Sequence, residues 1–195
     1  MLNNPIGYIL TSMRFQQWIK NFFIFAALIF SANLFNFPDI LLTISGFLIF
    51  SFAASGIYIF NDIIDLQNDK LHPVKSHRPL PSGKLSVSTA AVCSVLLLLA
   101  GISGAFALRT GFGIVLLIYI AINIWYSYQL KGVVILDVMT ISAGFVLRVI
   151  GGAVLINVPT SEWLIICTIL LSLFLGFSKR RHEILILENH ANTHR

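Results

Sequence analysis

A chain of 195 residues that is 57% hydrophobic and only 11% charged, with mean hydropathy +0.87, is not an ordinary soluble domain, where about a quarter of residues are charged. Its net charge of +5 does not mark a nucleic-acid partner, because the basic residues are scattered between apolar runs rather than gathered in one patch. The two cysteines, Cys93 and Cys167, lie inside apolar runs without metal-ligand spacing and read as small buried hydrophobes.

The first residues, MLNNPIGYILTSMRFQQ, lack a basic start followed by an apolar core and a small-residue cleavage site. Membrane insertion is therefore expected through the first spanning helix. Six apolar runs follow, at 18–35, 40–60, 87–108, 112–128, 133–156 and 163–177. Several approach or exceed the roughly 20 residues that cross a bilayer as a helix. The runs are continuously apolar, not alternating, which excludes a closed β-barrel. Pro5, Pro38, Pro73, Pro79, Pro81 and Pro159 all fall outside them. The expected fold is a single all-α, polytopic transmembrane bundle over residues 1–195. Small residues such as Gly56, Gly101, Gly104, Gly151 and Gly152 are expected to let helices pack closely.

Basic residues flank the ends of these runs unevenly. Arg14, Lys20, Lys70, Lys75, Arg78, Lys84, Lys131, Lys179, Arg180 and Arg181 fall on one side, whereas the opposite connections hold only Arg109. The N-terminus and the connection 61–86 are therefore expected to be cytoplasmic.

That connection begins NDIIDLQND. Asn61, Asp65 and Asp69 are four residues apart, and if the second helix continues they lie on one face. Oxygen-only ligands on one face suit Mg²⁺, which keeps several waters and also binds substrate phosphates. Asp62 lies beside them. The connection continues KSHRPLPSGK, where two prolines forbid regular helix and Ser82-Gly83 reads as a turn. It brings Lys75, Arg78 and Lys84 next to the aspartates, the arrangement expected for a bound diphosphate. His72 and His77 read as loop residues.

Other polar residues gather on the same membrane face: Arg14, Lys20 and Asn21, then Tyr126, Tyr128 and Lys131, then Lys179 and Arg180 in SKRRHE. Asp137 and Arg148 lie inside the fifth run, eleven residues apart and hence on one helical face. About 16 Å of helix rise separates them, so each is expected to find its partner on another helix or on a ligand.

The stretches RFQQWIKNFFIFAALIF, IYIFNDIIDLQNDKLHPVKSHRPLPSGKLS, YSYQLKGVVILDV, GFVLRVIGG and SKRRHEILIL, in this order, resemble the UbiA prenyltransferase superfamily, and within it the decaprenyl-phosphate phosphoribosyltransferases. NDIIDLQND fits the NDxxDxxxD motif of the superfamily. QWIKN, GFVLR and KRRHE point to the phosphoribosyl branch. Members that transfer prenyl groups carry a second aspartate-rich motif where this chain has SKRRHE, with only Glu183 acidic. The family fold also has more spans than these six, so the chain is expected to lack the last helices of the bundle.

The resemblance implies an enzyme of the inner (plasma) membrane that moves 5-phosphoribose from phosphoribosyl diphosphate to a polyprenyl phosphate, with Mg²⁺ as cofactor. Its partners would be these two substrates, the lipid bilayer and a second copy of the chain. Asn61, Asp65 and Asp69 would hold the metal. Asp62, Asp65 and Arg78 would act in catalysis. Lys20, Asn21, Lys75, Arg78, Tyr126, Lys131, Asp137, Arg148, Lys179 and Arg180 would bind substrate. Two alternatives stay open: prenyl transfer to an aromatic or other small acceptor, and a non-catalytic membrane scaffold.

Overall fold

The computed structural model describes residues 5–129 and 133–193, and among them it contains helices and turns but no strand. α1 covers Pro5–Ser12. Arg14 then adopts a left-handed conformation (φ 53°, ψ 54°) and leads into a 3-10 helix, Phe15–Ile24, which passes directly into α2, Phe25–Phe30. A ten-residue 3-10 run is long for that helix type. Partners on other helices account for it. A 3-10 helix repeats every three residues, so Phe15, Trp18, Asn21 and Ile24 stand above one another. Trp18 Nε1 donates to Ser55 Oγ (3.0 Å) and Asn21 Nδ2 donates to Ser51 Oγ (2.9 Å). Ile24 is fully buried, and its carbonyl oxygen occupies the place a side chain on Gly152 would need. Ser51 and Ser55 are one α-helical turn apart, so a three-residue stripe meets a four-residue one.

This corrects the first expected span, 18–35. The helical segment is Phe15–Phe30, shorter in residues than the other spans. Its 3-10 portion rises by about 2.0 Å per residue, so the segment still reaches about 29 Å, close to the ~30 Å hydrocarbon core.

α3, Phe37–Ile64, carries Pro38 and Asp39 in its first turn, where a missing N–H costs nothing and a negative charge suits the helix dipole. After Asp65 the chain continues as α4, Leu66–Leu71. The following loop contains a 3-10 turn at Lys75–His77 and a positive φ (75°) at Gly83, as the Ser82-Gly83 pair predicts. Ser86 then caps α5, Val87–Leu108, accepting from the N–H of Thr89 (3.1 Å). Extended Arg109 alone separates α5 from α6, Thr110–Tyr128. α7, Val134–Ile156, ends at left-handed Asn157. α8 covers Glu162–Thr193, of which Glu162–Ser178 is apolar.

Four of these helices are long and apolar enough to cross a membrane: Phe37–Ile64, Val87–Leu108, Thr110–Tyr128 and Ile135–Ile156. They coincide with the expected runs at 40–60, 87–108, 112–128 and 133–156. α3 lies at the centre of the bundle. Against α5 it uses small residues: a side chain on Gly101 would meet Ala53 Cβ at 2.7 Å, and Ser94 Oγ donates to the carbonyl of Gly56 (2.8 Å). Against α6 it uses large ones, with Phe50 and Ile57 packed among Phe112, Leu116 and Tyr119. Leu96, Leu99, Leu170 and Phe174 remain exposed on outer faces, as lipid-facing residues do.

Candidate functional site

The polar ends of α3, α6 and α7 enclose a cavity of about 370 Å³. Each helix contributes a stripe at helical spacing. α3 supplies Tyr58, Asn61, Asp62 and Asp65. α6 supplies Tyr119, Asn123 and Tyr126, and α7 supplies Thr140, Gly144 and Arg148. Arg14 and Lys20 enter from the N-terminal segment, Lys75 and Arg78 from the loop, and Arg180 from α8. Among the described residues, six cations and two carboxylates thus line one space.

Asp62 is the most constrained of the acids. It is buried, and it accepts from Arg14 and from Arg78 Nη1 (3.2 Å). The same Arg78 nitrogen donates to Asp69 Oδ2 at 3.0 Å, and Lys75 Nζ lies 3.6 Å from Asp69 Oδ1. The need for these cations is local. Carboxylates at the C-terminal end of a helix face the negative pole of its dipole and are destabilising unless paired.

The helical register runs on through Asp65, whose N–H donates to the carbonyl of Asn61 (2.9 Å), while the N–H of Asp69 donates to that of Asp65 (2.8 Å). Yet Asn61, Asp65 and Asp69 do not share the cavity. Asn61 and Asp65 line it, whereas Asp69 is buried beside Arg78 and Lys75. The reason is the pitch. Four residues overshoot one turn by about 40°, so two such steps carry Asp69 around to the side of Asp62, seven residues away.

A second carboxylate, Asp137 on α7, is almost completely buried. Tyr126 Oη donates to its Oδ1 (2.6 Å) and Arg180 Nε to its Oδ2 (2.6 Å), with Arg180 Nη2 on the same oxygen. Tyr126 and Arg180 line the cavity and Asp137 stands behind them.

Arg148 meets no carboxylate among the described residues. Its Nε donates to Asn21 Oδ1 (2.7 Å), its Nη1 to the carbonyl of Gly144 (2.7 Å) and its Nη2 to Tyr119 Oη (3.1 Å). Its guanidinium carbon lies 4.9 Å from the ring centre of Tyr119, 5.3 Å from Phe50 and 5.5 Å from Phe145. Neutral dipoles and aromatic faces hold a cation in place without cancelling its charge. Asp137 and Arg148 do share a face and do find partners on other helices, as their spacing predicts. Asn21, expected to touch substrate, is buried and instead orients Arg148.

Lys131 lies outside the described residues, as does the side chain of Lys179. Several lining residues escape the sequence reading: Tyr58, Tyr119, Asn123 and Thr140. A signal exists on α6, where Tyr119, Asn123 and Tyr126 form a polar stripe in an otherwise apolar helix. Ser127 belongs to it too, its hydroxyl lying against Asn61 Oδ1 and within 2.7 Å of the Asn123 carbonyl, with one proton to give to either.

The fit to a magnesium ion rests on the donor chemistry. Among the described residues no three His, Cys, Asp or Glu side chains converge into a ready-made cage. Asn61, Asp62 and Asp65 nevertheless bring one amide and two carboxylates, all bearing oxygen ligands, to one cavity wall. Mg²⁺ is typically held by one or two carboxylates together with substrate phosphates and water, so this sparse set fits an ion that arrives with a diphosphate.

A profile of the UbiA prenyltransferase family matches residues 21–181. An uncharacterized protein of Sinorhizobium fredii is 35% identical over 181 residues, 93% of this chain and 35% of that protein. The decaprenyl-phosphate phosphoribosyltransferase of Mycolicibacterium smegmatis is 32% identical over 189 residues, 95% of this chain and 59% of the relative. The chain thus spans less than two thirds of the length of either relative. A solved structure of a UbiA homolog from Archaeoglobus fulgidus, bound to DMAPP and Mg²⁺, shares the fold with TM-score 0.69 and 21% identity, over 85% of this chain and 60% of that one.

Proposed function

The chain belongs to the UbiA prenyltransferase family, and from that premise we propose that it serves a membrane transferase moving 5-phosphoribose from phosphoribosyl diphosphate to a polyprenyl phosphate. The observation that carries the reading is the charge of the cavity. Six cations face it against two carboxylates, and two excess positive charges remain even when Asp69 and Asp137 behind the wall are included. Two phosphorylated substrates match that imbalance. The similarity to the M. smegmatis phosphoribosyltransferase supports the same choice.

In this reading the lipid phosphate oxygen attacks C1 of the ribose. The new C1–O bond forms as the bond to diphosphate breaks, and diphosphate leaves. The nucleophile is already anionic at neutral pH, so no strong base is required, and among the described residues the lining holds no histidine. Asn61 and Asp65 would hold Mg²⁺ with Asp62 beside them, and the ion would neutralise charge developing on the leaving diphosphate. Lys75 and Arg78 bind that diphosphate. Arg148 and Lys20 bind the remaining phosphate of the donor, with Asn21 and Tyr119 fixing Arg148. Tyr126 and Arg180 orient the sugar, held from behind by Asp137. Asp69 holds Arg78 and Lys75 in position. The protein sits in the inner membrane with the cavity open to the cytoplasm, the side on which the water-soluble donor is present.

Transfer of a prenyl group is the second reading, favoured by the fold neighbour that carries DMAPP. One assay separates the two. Membranes containing the protein receive radiolabelled phosphoribosyl diphosphate, polyprenyl phosphate and Mg²⁺, and in parallel a prenyl diphosphate with an aromatic acid. Labelled lipid in the first reaction alone is the expected result. Product in the second reaction alone overturns the phosphoribosyl assignment.

A further inference from the structure

A larger groove, about 790 Å³, lies on the other side of Arg14, Asp62 and Arg78, and these three residues line both spaces. They therefore form a common wall. Asp62 is covered within the wall, but about a third of the Arg78 side chain and a quarter of the Arg14 side chain stay accessible. The groove thus meets the exposed flanks of two guanidinium groups. Its rim differs from that of the inner cavity. Leu10, Phe15 and Val74 are exposed apolar residues there, and Gln16 and Gln17 supply neutral hydrogen-bonding groups. Among the described residues the groove contains no second carboxylate.

Apolar rim and cationic floor together suit an amphiphile with an anionic head. Arg14 is held for such a contact. It is one of three non-glycine residues with positive φ among those described. Its carbonyl accepts from the N–H of Gln17 (2.8 Å) and its own N–H donates to the carbonyl of Thr11 (3.2 Å). L-residues seldom adopt this conformation, and where they do the surroundings fix it and a function is often nearby.

We propose that this groove binds the phosphate and the first isoprenoid units of the lipid acceptor, with Arg14 and Arg78 shared between the acceptor here and the donor in the inner cavity. The assignment rests on the phosphoribosyl-transfer reading for the identity of the lipid. It adds a docking site beside the donor cavity, from which the acceptor phosphate passes the wall of Arg14, Asp62 and Arg78 before it attacks C1. Asp62 is the ligand that an incoming phosphate displaces from Arg14.

The test uses the full chain in phospholipid vesicles with a photoreactive benzophenone amino acid at position 74, in the groove, or at position 140, in the inner cavity. Polyprenyl phosphate labelled with ³²P is expected to cross-link at 74 and not at 140, with competition by unlabelled polyprenyl phosphate and none by phosphoribosyl diphosphate. Gln16→Glu, an exposed isosteric change confined to the groove, is expected to weaken that labelling about threefold to fivefold by like-charge repulsion. It is expected to leave binding of phosphoribosyl diphosphate unaltered. Labelling at 140 instead of 74, or full competition by phosphoribosyl diphosphate, overturns the groove. Labelling at 74 by a protein that binds no phosphoribosyl diphosphate sustains the groove and counts only against the donor assignment.

Discussion

Asp62 and Asp137 are both buried carboxylates clamped by arginine on facing sides of one cavity, yet they are built for different work. Asp62 lines two spaces, and its partners Arg14 and Arg78 are themselves partly open to both. Its contacts are charge on charge, and each can be exchanged for a phosphate or a metal ion. Asp137 lines neither space. It holds Tyr126 and Arg180 from behind, with one neutral and one charged donor. The difference shows that burial and pairing alone do not mark a reacting group. What matters is whether the partners, or the carboxylate itself, face the substrate.

The sharpest break of that comparison comes from the α3 wall. Asp65→Asn, and with it Asp62→Asn, should lower turnover by about a thousandfold, since each removes charge stabilisation at the leaving group. Chelation of Mg²⁺ should mimic the loss and added Mg²⁺ should restore it. Unchanged labelled-lipid formation in Asp65→Asn membranes would sink the metal assignment. Arg148→Met comes next. It should raise the KM for phosphoribosyl diphosphate by about a hundredfold by deleting a charge-assisted contact, with a smaller change in kcat. Deleting the guanidinium also takes a buried donor from Asn21 Oδ1, the Gly144 carbonyl and Tyr119 Oη, so the thermal midpoint in detergent should fall as well, and KM is compared on protein that remains folded. Asp137→Asn should be milder, about tenfold in turnover, because in the proposed reading it loosens Tyr126 and Arg180 and does not itself meet the substrate. Its distinguishing mark is the loss of roughly 1–3 kcal/mol of stability from leaving Arg180 underpaired. If Asp137→Asn proves as damaging to turnover as Asp65→Asn, the contrast between the two carboxylates fails.

Much of this was legible before any coordinates. Apolar runs located α3, α5, α6 and α7, because a bilayer-spanning helix needs length and hydropathy and little else. The clustering of Asn61, Asp62, Asp65, Lys75 and Arg78 located the cavity wall. Pitch and side-chain reach were not legible at the same resolution. Counting in fours put Asp69 with Asn61 and Asp65, whereas 3.6 residues per turn puts it with Asp62 and Arg78. The 3-10 winding of Phe15–Ile24 was hidden as well, since it follows from where Ser51, Ser55 and Gly152 lie on other helices. The sequence groups Arg14 with the polar residues of that face, but its pairing with Asp62, 48 residues away, is not legible there. The polar stripe of α6 was visible but looked weak beside the aspartates.

The smallest expected effect tests where the functional cations stop. Lys84 belongs to the same basic stretch as Lys75 and Arg78, and a reading by composition would group all three. In the structure Lys84 is exposed beyond the Gly83 turn and lines neither the inner cavity nor the groove. Pro79 and Leu80 turn the chain away from the aspartates, with the N–H of Leu85 bonded to the carbonyl of Pro79 (2.9 Å) and both Leu80 and Leu85 buried. Lys84→Ala should therefore leave turnover and donor KM within about twofold, as exposed charges away from a site contribute little. Arg78→Ala should cost about a hundredfold or more, because it strips Asp62 and Asp69 of a shared partner and the diphosphate of a donor. Equal losses in the two variants, measured as labelled lipid formed per unit of membrane-inserted protein, would mean that the loop acts through its overall charge. The specific wall between the two cavities would then have no part in the reaction.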